Sequence, residues 1–438
     1  MDLEDPRDTS RDRRNTRGLY AWLLDVLKSP WLAVCLIGLL LLVYLGDAEA
    51  LHRSSLQMKA AGIEAVGALV FYGRRRYVKL LNVYLERNLA QNGGILDEVV
   101  FAVRTLDEED LKFLDLLLAR NPGVYRRSAP GSLYQNDTLV HWQESYNIAR
   151  PDRLYVKIDD DVIFIQDGAI EALVEEKLRG RYLFVSANVV NHPLLSYVHA
   201  QLGALLPFQP PPKGLNPMDA YKPFVLANNH SVLDDSPAHT SAYKTDDACF
   251  WEQWECAAVA HYSFLHHMRA GSLAAYAFNN WDLCYPDYHR WSINFFLFNS
   301  SDLLGDLISN EIDDEVYVSQ LLPAFRKQHA AAVGRSALVV HYAYFVQEKG
   351  LLYNAPGLLQ EYSRVAERYA NGTILQKEVD EKPLNGTFGL VLPNDKVVPL
   401  EDPNDQMEVA QKTATLGGEF SYYDKDYVEY NGTDIRLG

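Results

Sequence analysis

Residues 154–165 read Leu-Tyr-Val-Lys-Ile-Asp-Asp-Asp-Val-Ile-Phe-Ile, three consecutive acids between two apolar runs of β character. Adjacent carboxylates at the end of a buried strand repel one another and are costly to desolvate. A divalent cation among them removes that cost. In an extended chain Asp159 and Asp161 project to one side and Asp160 to the other, so the first and third acids are candidate metal ligands. Hard cations enter nucleotide sites through one or two carboxylates plus substrate phosphates, which points to Mn²⁺ or Mg²⁺ with a nucleotide. In polar surroundings such a triplet reads as an acidic turn; the apolar flanks favour the metal.

Two further groups extend the chemistry. Asp313-Asp314-Glu315 precedes the apolar run Val316-Tyr317-Val318. Acids at that position either cap a helix or supply a general base that takes a proton from an acceptor hydroxyl. His341 interrupts the apolar Val339-Val340-His341-Tyr342. A lone histidine in a strand is commonly a satisfied core residue, but beside a metal it is a candidate third ligand. His261, His266 and His267 are not spaced to put two imidazoles on one helical face. Trp281 and Trp291 are candidates for stacking on a sugar, or packing anchors.

These residues need a scaffold. Apolar runs over 65–72, 96–103 and 154–158 alternate with helical spacing over 77–94 and 107–121, which predicts an α/β fold with a largely parallel sheet flanked by helices. In such sheets ligands bind beyond the carboxyl ends of the strands, which is where the triplet sits. Strand then helix is expected over 292–308, and a strand over 337–345. Residues 205–290, with Pro210-Pro211-Pro212 and scattered aromatics, read as long ordered loops. Of Cys249, Cys256 and Cys284, two are expected to form a disulfide and one to stay free.

The chain of 438 residues is 48% hydrophobic and carries a formal charge of −17, which argues against nucleic acid as a partner. No charge occurs between Lys28 and Asp47, and as a helix that stretch covers about 27 Å, enough for a thin bilayer. Arg11, Arg13, Arg14, Arg17 and Lys28 precede it, so the positive-inside rule places the N-terminus in the cytosol and the remainder in a lumen. A cleaved signal peptide is the rival reading. Sequons at Asn136, Asn229, Asn299, Asn371, Asn385 and Asn431 all follow the span. The expected organisation is a cytosolic tail over 1–28, a transmembrane signal anchor over 29–46, a stem over 47–62, a lumenal domain over 63–368 and an acidic extension over 369–438.

Lys157–Ile165 resembles the Lys-x-Asp-Asp-Asp-Val-Phe-Val motif of the β-1,3-galactosyltransferase and fringe-type glycosyltransferases. Tyr285-Pro286-Asp287-Tyr288 followed by Ile293–Leu303 is similar to that family's YPxY…GYVLSxDL segment, and Asp313–Ser319 to its EDVYVG motif. The resemblance implies a GT-A fold, a type II Golgi or endoplasmic-reticulum membrane enzyme, a UDP-sugar donor, and Mn²⁺ bound through the acidic triplet. It also implies inverting transfer to a glycan or glycoprotein acceptor. By position Asp159 and Asp161 serve the metal, Asp159 and Asp160 the donor, and the motif's catalytic aspartate falls on Glu315. Either Glu315 is the base, or Asp314 takes that role through a shift of the turn. Tyr72 and Arg74, after the first strand, are expected to contact the uridine. Arg290-Trp291 replaces the family's glycine-rich stretch, so the acceptor pocket differs. The rival function is a catalytically inactive sugar- or nucleotide-binding membrane protein with the same fold. A nucleotide-sugar hydrolase is disfavoured by the lack of a two-metal His/Asp cluster.

Overall fold

A computed structural model describes residues 58–59, 61–128, 134–135, 138–139, 142–210, 223–226, 248–285, 288–303 and 312–369, and the strand pieces 389–391, 397–399, 427–430 and 433–436. Ile63–Gly438 forms one unit and Met1–Gly62 another. The expected tail, the anchor and most of the stem lie outside the described residues, as do five of the six sequons; Asn299 is described. Among the described residues no helix is long and apolar enough to cross a membrane.

The strand β1 (Ala65–Tyr72) is buried along its whole length, as expected of a strand covered on both faces. Each fully buried Val, Leu or Phe side chain contributes roughly 1.5–3 kcal/mol. Helix α1 (Arg75–Arg87) follows, with Tyr77, Leu81 and Leu85 repeating at four-residue spacing on its buried side. β2 (Glu98–Val103) leads to α2 (Glu108–Arg120), whose N-cap Asp107 accepts hydrogen bonds from the Glu109 and Asp110 amides. β3 (Tyr125–Arg127), β4 (Arg153–Asp159), β5 (Val162–Ile165), α3 (Ala169–Leu178), β6 (Phe184–Ser186), β7 (Asn188–Val190) and α4 (Pro193–Gln201) come next. After them lie α5 (Trp254–Ala270), β8 (Trp281–Asp282), β9 (Phe295–Asn299), β10 (Ala330–Ala332), β11 (Leu338–His341), α6 (Phe345–Asn354) and α7 (Gly357–Tyr369).

The eight-stranded sheet has the order β8-β10-β6-β9-β4-β1-β2-β3. β3, β2, β1 and β4 are mutually parallel, as are β6 and β10; β9 runs antiparallel to β4 and β6, and β8 to β10. The fold is thus mixed α/β with a large, mostly parallel sheet flanked by helices. A second sheet, β5-β11-β7, carries the chain onward from the acidic triplet. Its register sets His341 opposite Val162, with an irregularity between Val340 and His341.

Two expectations need correction. The 205–290 region contains the 17-residue α5, buried without interruption from Cys256 to Leu265. The strand expected over 337–345 stops at His341, and Phe345 opens α6; the apolar letters continue while the backbone turns away.

Candidate metal and nucleotide site

β4 leaves the core at Asp159, and Asp160-Asp161 turn the chain into β5. One ligand atom from each of Asp159, Asp161 and His341 lies within 4.8 Å of the others, so the group can hold a metal ion. Asp161 and His341, 180 positions apart, are joined by the ladder: the Tyr342 amide donates to the Asp161 carbonyl at 2.9 Å. His341 Nε2 stands 3.4 Å from Asp161 Oδ1, and Nδ1 donates to the Asn191 carbonyl at 3.3 Å. That second contact orients the ring and leaves Nε2 as the atom facing the carboxylates, where it carries a proton toward Asp161 or, once deprotonated, could bind a metal. Asn191 holds this carbonyl in place from a left-handed backbone, φ 59°. The donor set of two carboxylates and one neutral imidazole suits Mn²⁺ and similar divalent ions.

Each acid also has a cation. The buried Lys157 ammonium donates to Asp159 Oδ1 and, at 2.9 Å, to the Ile293 carbonyl. Asn294 Nδ2 donates to Asp159 Oδ2 at 3.0 Å, and its own oxygen accepts from Tyr344 Oη at 3.1 Å. Arg74 reaches Asp160, Asp161 and Glu348 together, while its backbone amide donates to Asp160 Oδ2 at 2.6 Å. Gly73 makes this approach feasible, since a Cβ there would stand 3.0 Å from Asp160 Oδ2. Burial pushes Asp160 up to about 6 against the pull of Arg74. Burial also raises Asp161, but His341 and Arg74 outweigh it and hold that carboxyl well below the usual range. For His341, burial opposes the charged form and Asp161 outweighs it, so the imidazole is raised.

The second acidic cluster adjoins this group, and Tyr344 neighbours Glu315 as well as Asp159 and Asp161. Asp313 caps the turn Asp314–Val316 by accepting from the Glu315 amide, and a π-helical turn, Tyr317–Leu321, follows; such turns recur at functional sites. Glu315 Oε1 accepts from Arg290 Nε at 2.7 Å and Oε2 from Ser292 Oγ at 3.2 Å. Burial, opposed by Arg290, raises Glu315 to about 7. Asp314 is raised by burial against Lys157, and its electrostatic neighbours include Arg104 and Asp159. Asp314 therefore belongs to the triplet's side. Glu315 belongs to a wall on which Arg290 covers the Trp251 ring at 5.9 Å and Trp251 meets Tyr344 at 4.7 Å. Trp251 lies inside the loop closed by the Cys249–Cys256 disulfide, and Gln347 Nε2 donates to the Phe250 carbonyl at 2.7 Å.

Several candidate residues have protein partners of their own. Tyr72, expected at the uridine, is fully buried, and its hydroxyl donates to the Asp110 carbonyl at 2.5 Å; the last residue of a two-sided buried strand points into the core. Arg74, given the same role, is committed to three acids. Trp291 is buried against Phe296 and is a packing anchor; Trp281 is half-buried in the edge strand β8. His261 bridges the Tyr342 carbonyl and Tyr362 Oη, and His267 bridges Ala204 and Ser272. Cys284 is the free, buried thiol. Lys157, Asn294, Asn191, Tyr344 and Arg290 were not singled out as supports of the metal and acid groups. Only Lys157 had a local signal, its place two residues before Asp159.

No family model and no curated protein matches the chain. Among solved structures it is similar to 4-diphosphocytidyl-2C-methyl-D-erythritol synthase from Anaerococcus prevotii, at 10% identity and a TM-score of 0.31, over 67% of this chain and 96% of that one. A likeness that weak leaves the side chains of the site as the ground for a functional reading.

Proposed function

We propose that the chain is a metal-dependent glycosyltransferase that moves a sugar from a UDP-sugar to an acceptor hydroxyl with inversion, on the lumenal side of a Golgi membrane behind an anchor at 29–46. The observation that carries this reading is the Asp159–Asp161–His341 group, mutually within 4.8 Å at the carboxyl end of β4, with Asp314 and Glu315 close by. A divalent cation held by those three residues supplies charge neutralisation at the leaving diphosphate. Glu315 takes the acceptor proton as the hydroxyl oxygen bonds to the anomeric carbon, and the bond to UDP breaks. It is assigned as the base because it stands on the aromatic wall, where an acceptor sugar stacks, and because a group near pH 7 suits general-base work. Asp314, on the triplet's side, shapes the field at the donor.

The test is UDP release by the full-length, detergent-solubilised protein from a panel of UDP-sugars, with Mn²⁺ or with chelator. Metal-dependent release that disappears in Asp161→Ala is expected; release unaffected by that change refutes the metal assignment. The Arg290–Glu315 ion pair favours one second reading, binding without turnover, because it neutralises the base. UDP binding with no sugar transferred to any acceptor or to water selects that alternative.

A further inference from the structure

The cations at the strand ends are mostly spoken for. Arg74 binds three carboxylates, Lys157 binds Asp159, Arg75 binds Asp107 and Asp110, and Arg290 binds Asp313 and Glu315. Arg104 differs: among the described residues no carboxylate pairs with it, and its polar side-chain contact is a long one, Nη1 to Ser145 Oγ at 3.4 Å. It is nevertheless positioned. Its amide donates to the Tyr72 carbonyl at 2.7 Å, continuing the β1–β2 ladder, and its guanidinium lies 5.0 Å from the centre of the Phe71 ring. The Lys157 ammonium lies 4.8 Å from the same centre. Phe71 pairs with Asp159 across the β1–β4 ladder.

Arg104 therefore stands beyond the carboxyl end of β2, two strands from the triplet, about 10 Å across the sheet. The Phe71 ring and the Lys157 ammonium lie on this ground, and beside them Gly73 carries no side chain. A Cβ on Gly73 would be 3.0 Å from Asp160 Oδ2 and 3.8 Å from the Arg104 carbonyl, and glycine puts nothing there. A nucleoside diphosphate whose phosphates meet the Asp159–Asp161–His341 group spans a distance of this order to its base.

We propose that Arg104, rather than Arg74, holds the nucleoside end of the donor, donating guanidinium N–H bonds to the carbonyl oxygens of a pyrimidine base laid over Gly73. The proposal rests on the donor reading above. It makes the Arg104 contribution independent of the metal, because the contact lies at the opposite end of the nucleotide.

The test is calorimetric titration of the full-length protein with UDP, with Mn²⁺ and again with chelator, for wild type, Arg104→Ala, Arg104→Lys and Asp161→Ala. Loss of a charge-assisted hydrogen bond weakens binding about 10- to 100-fold. That loss is expected in Arg104→Ala with Mn²⁺, and equally with chelator wherever wild-type binding is measurable, with a smaller loss in Arg104→Lys. Asp161→Ala is expected to lose only the metal-dependent part. Thermal melts check that each variant is folded, and an Arg104→Ala protein that does not fold transfers the decision to Arg104→Lys. Wild-type UDP binding that survives the Arg104 changes within twofold overturns this proposal and leaves the donor reading intact. Wild type that binds no UDP overturns both.

Discussion

Replacing Arg290 by glutamine isolates what sets the working pH of Glu315. Arg290 Nε meets Glu315 Oε1 at 2.7 Å, and the guanidinium also serves Asp313 at 3.0 Å. Two unit charges about 4 Å apart interact by about 4 kcal/mol at an effective dielectric of ~20. Arg290 is 42% exposed and shared, so solvent screening reduces the usable part to about 1 kcal/mol, or just under one pKa unit. Glu315 stands at about 7 with the arginine in place. In Arg290→Gln the acid limb of the pH profile of kcat/KM is therefore expected to move up by just under one unit. Activity below the wild-type midpoint then falls severalfold, while activity well above it changes little. The assay is UDP release with Mn²⁺ across the pH range, with Glu315→Gln and Asp314→Asn as references. Glu315→Gln is expected to lose activity at every pH and Asp314→Asn to keep the limb. An unmoved limb in Arg290→Gln, or a limb that vanishes only in Asp314→Asn, refutes the assignment of Glu315.

The same group has a stability signature. Its folded value of about 7 exceeds the ordinary 4.5, so the native state holds the extra proton and stability from this group is lost as pH rises from the lower value to the upper. Glu315→Gln should gain on wild type across that window in denaturant melts, and a constant difference contradicts it. Mn²⁺ should raise the unfolding temperature of wild type, by mass action on the native state, and leave that of Asp161→Ala unmoved. In Gly334→Ala the new Cβ would stand 2.4 Å from the Phe278 carbonyl oxygen; backbone cannot yield cheaply, so a loss of about 1–3 kcal/mol is expected in denaturant unfolding. Tyr72→Phe, which deletes the bond to the Asp110 carbonyl, should cost about 1 kcal/mol of stability and leave UDP affinity unchanged; weaker UDP binding would restore Tyr72 to the nucleotide.

The elements around the triplet were legible because they follow simple periodicities. Ala65–Tyr72 is an unbroken apolar run, and the flanks of Asp159–Asp161 are of the same kind. His341 was visible as the one imidazole in an apolar strand, but its meeting with Asp161 depends on the β5–β11 pairing, which no local pattern encodes. Helix α5 was missed for a definite reason. It is buried on nearly every side, so it lacks the polar stripe that gives a surface helix its 3.6-residue contrast. The partners of Tyr72 and Arg74 were not legible, because the residues at a strand end can turn inward or toward neighbouring acids, and the Asp110 and Glu348 contacts come from α2 and α6.

Under the proposed function, the Cys249–Cys256 link ties the site to redox environment. It closes a short loop that carries Phe250, whose carbonyl receives Gln347, and Trp251, which leans on Tyr344. Tyr344 in turn bonds Asn294, the residue that steadies Asp159. Reduction gives the loop back its conformational freedom, and that line of contacts ends at Asp159, the first of the candidate metal ligands. A chain held in a reducing compartment would thus keep its sheet and its acids yet present them loosely, so that oxidation acts as the finishing step of assembly.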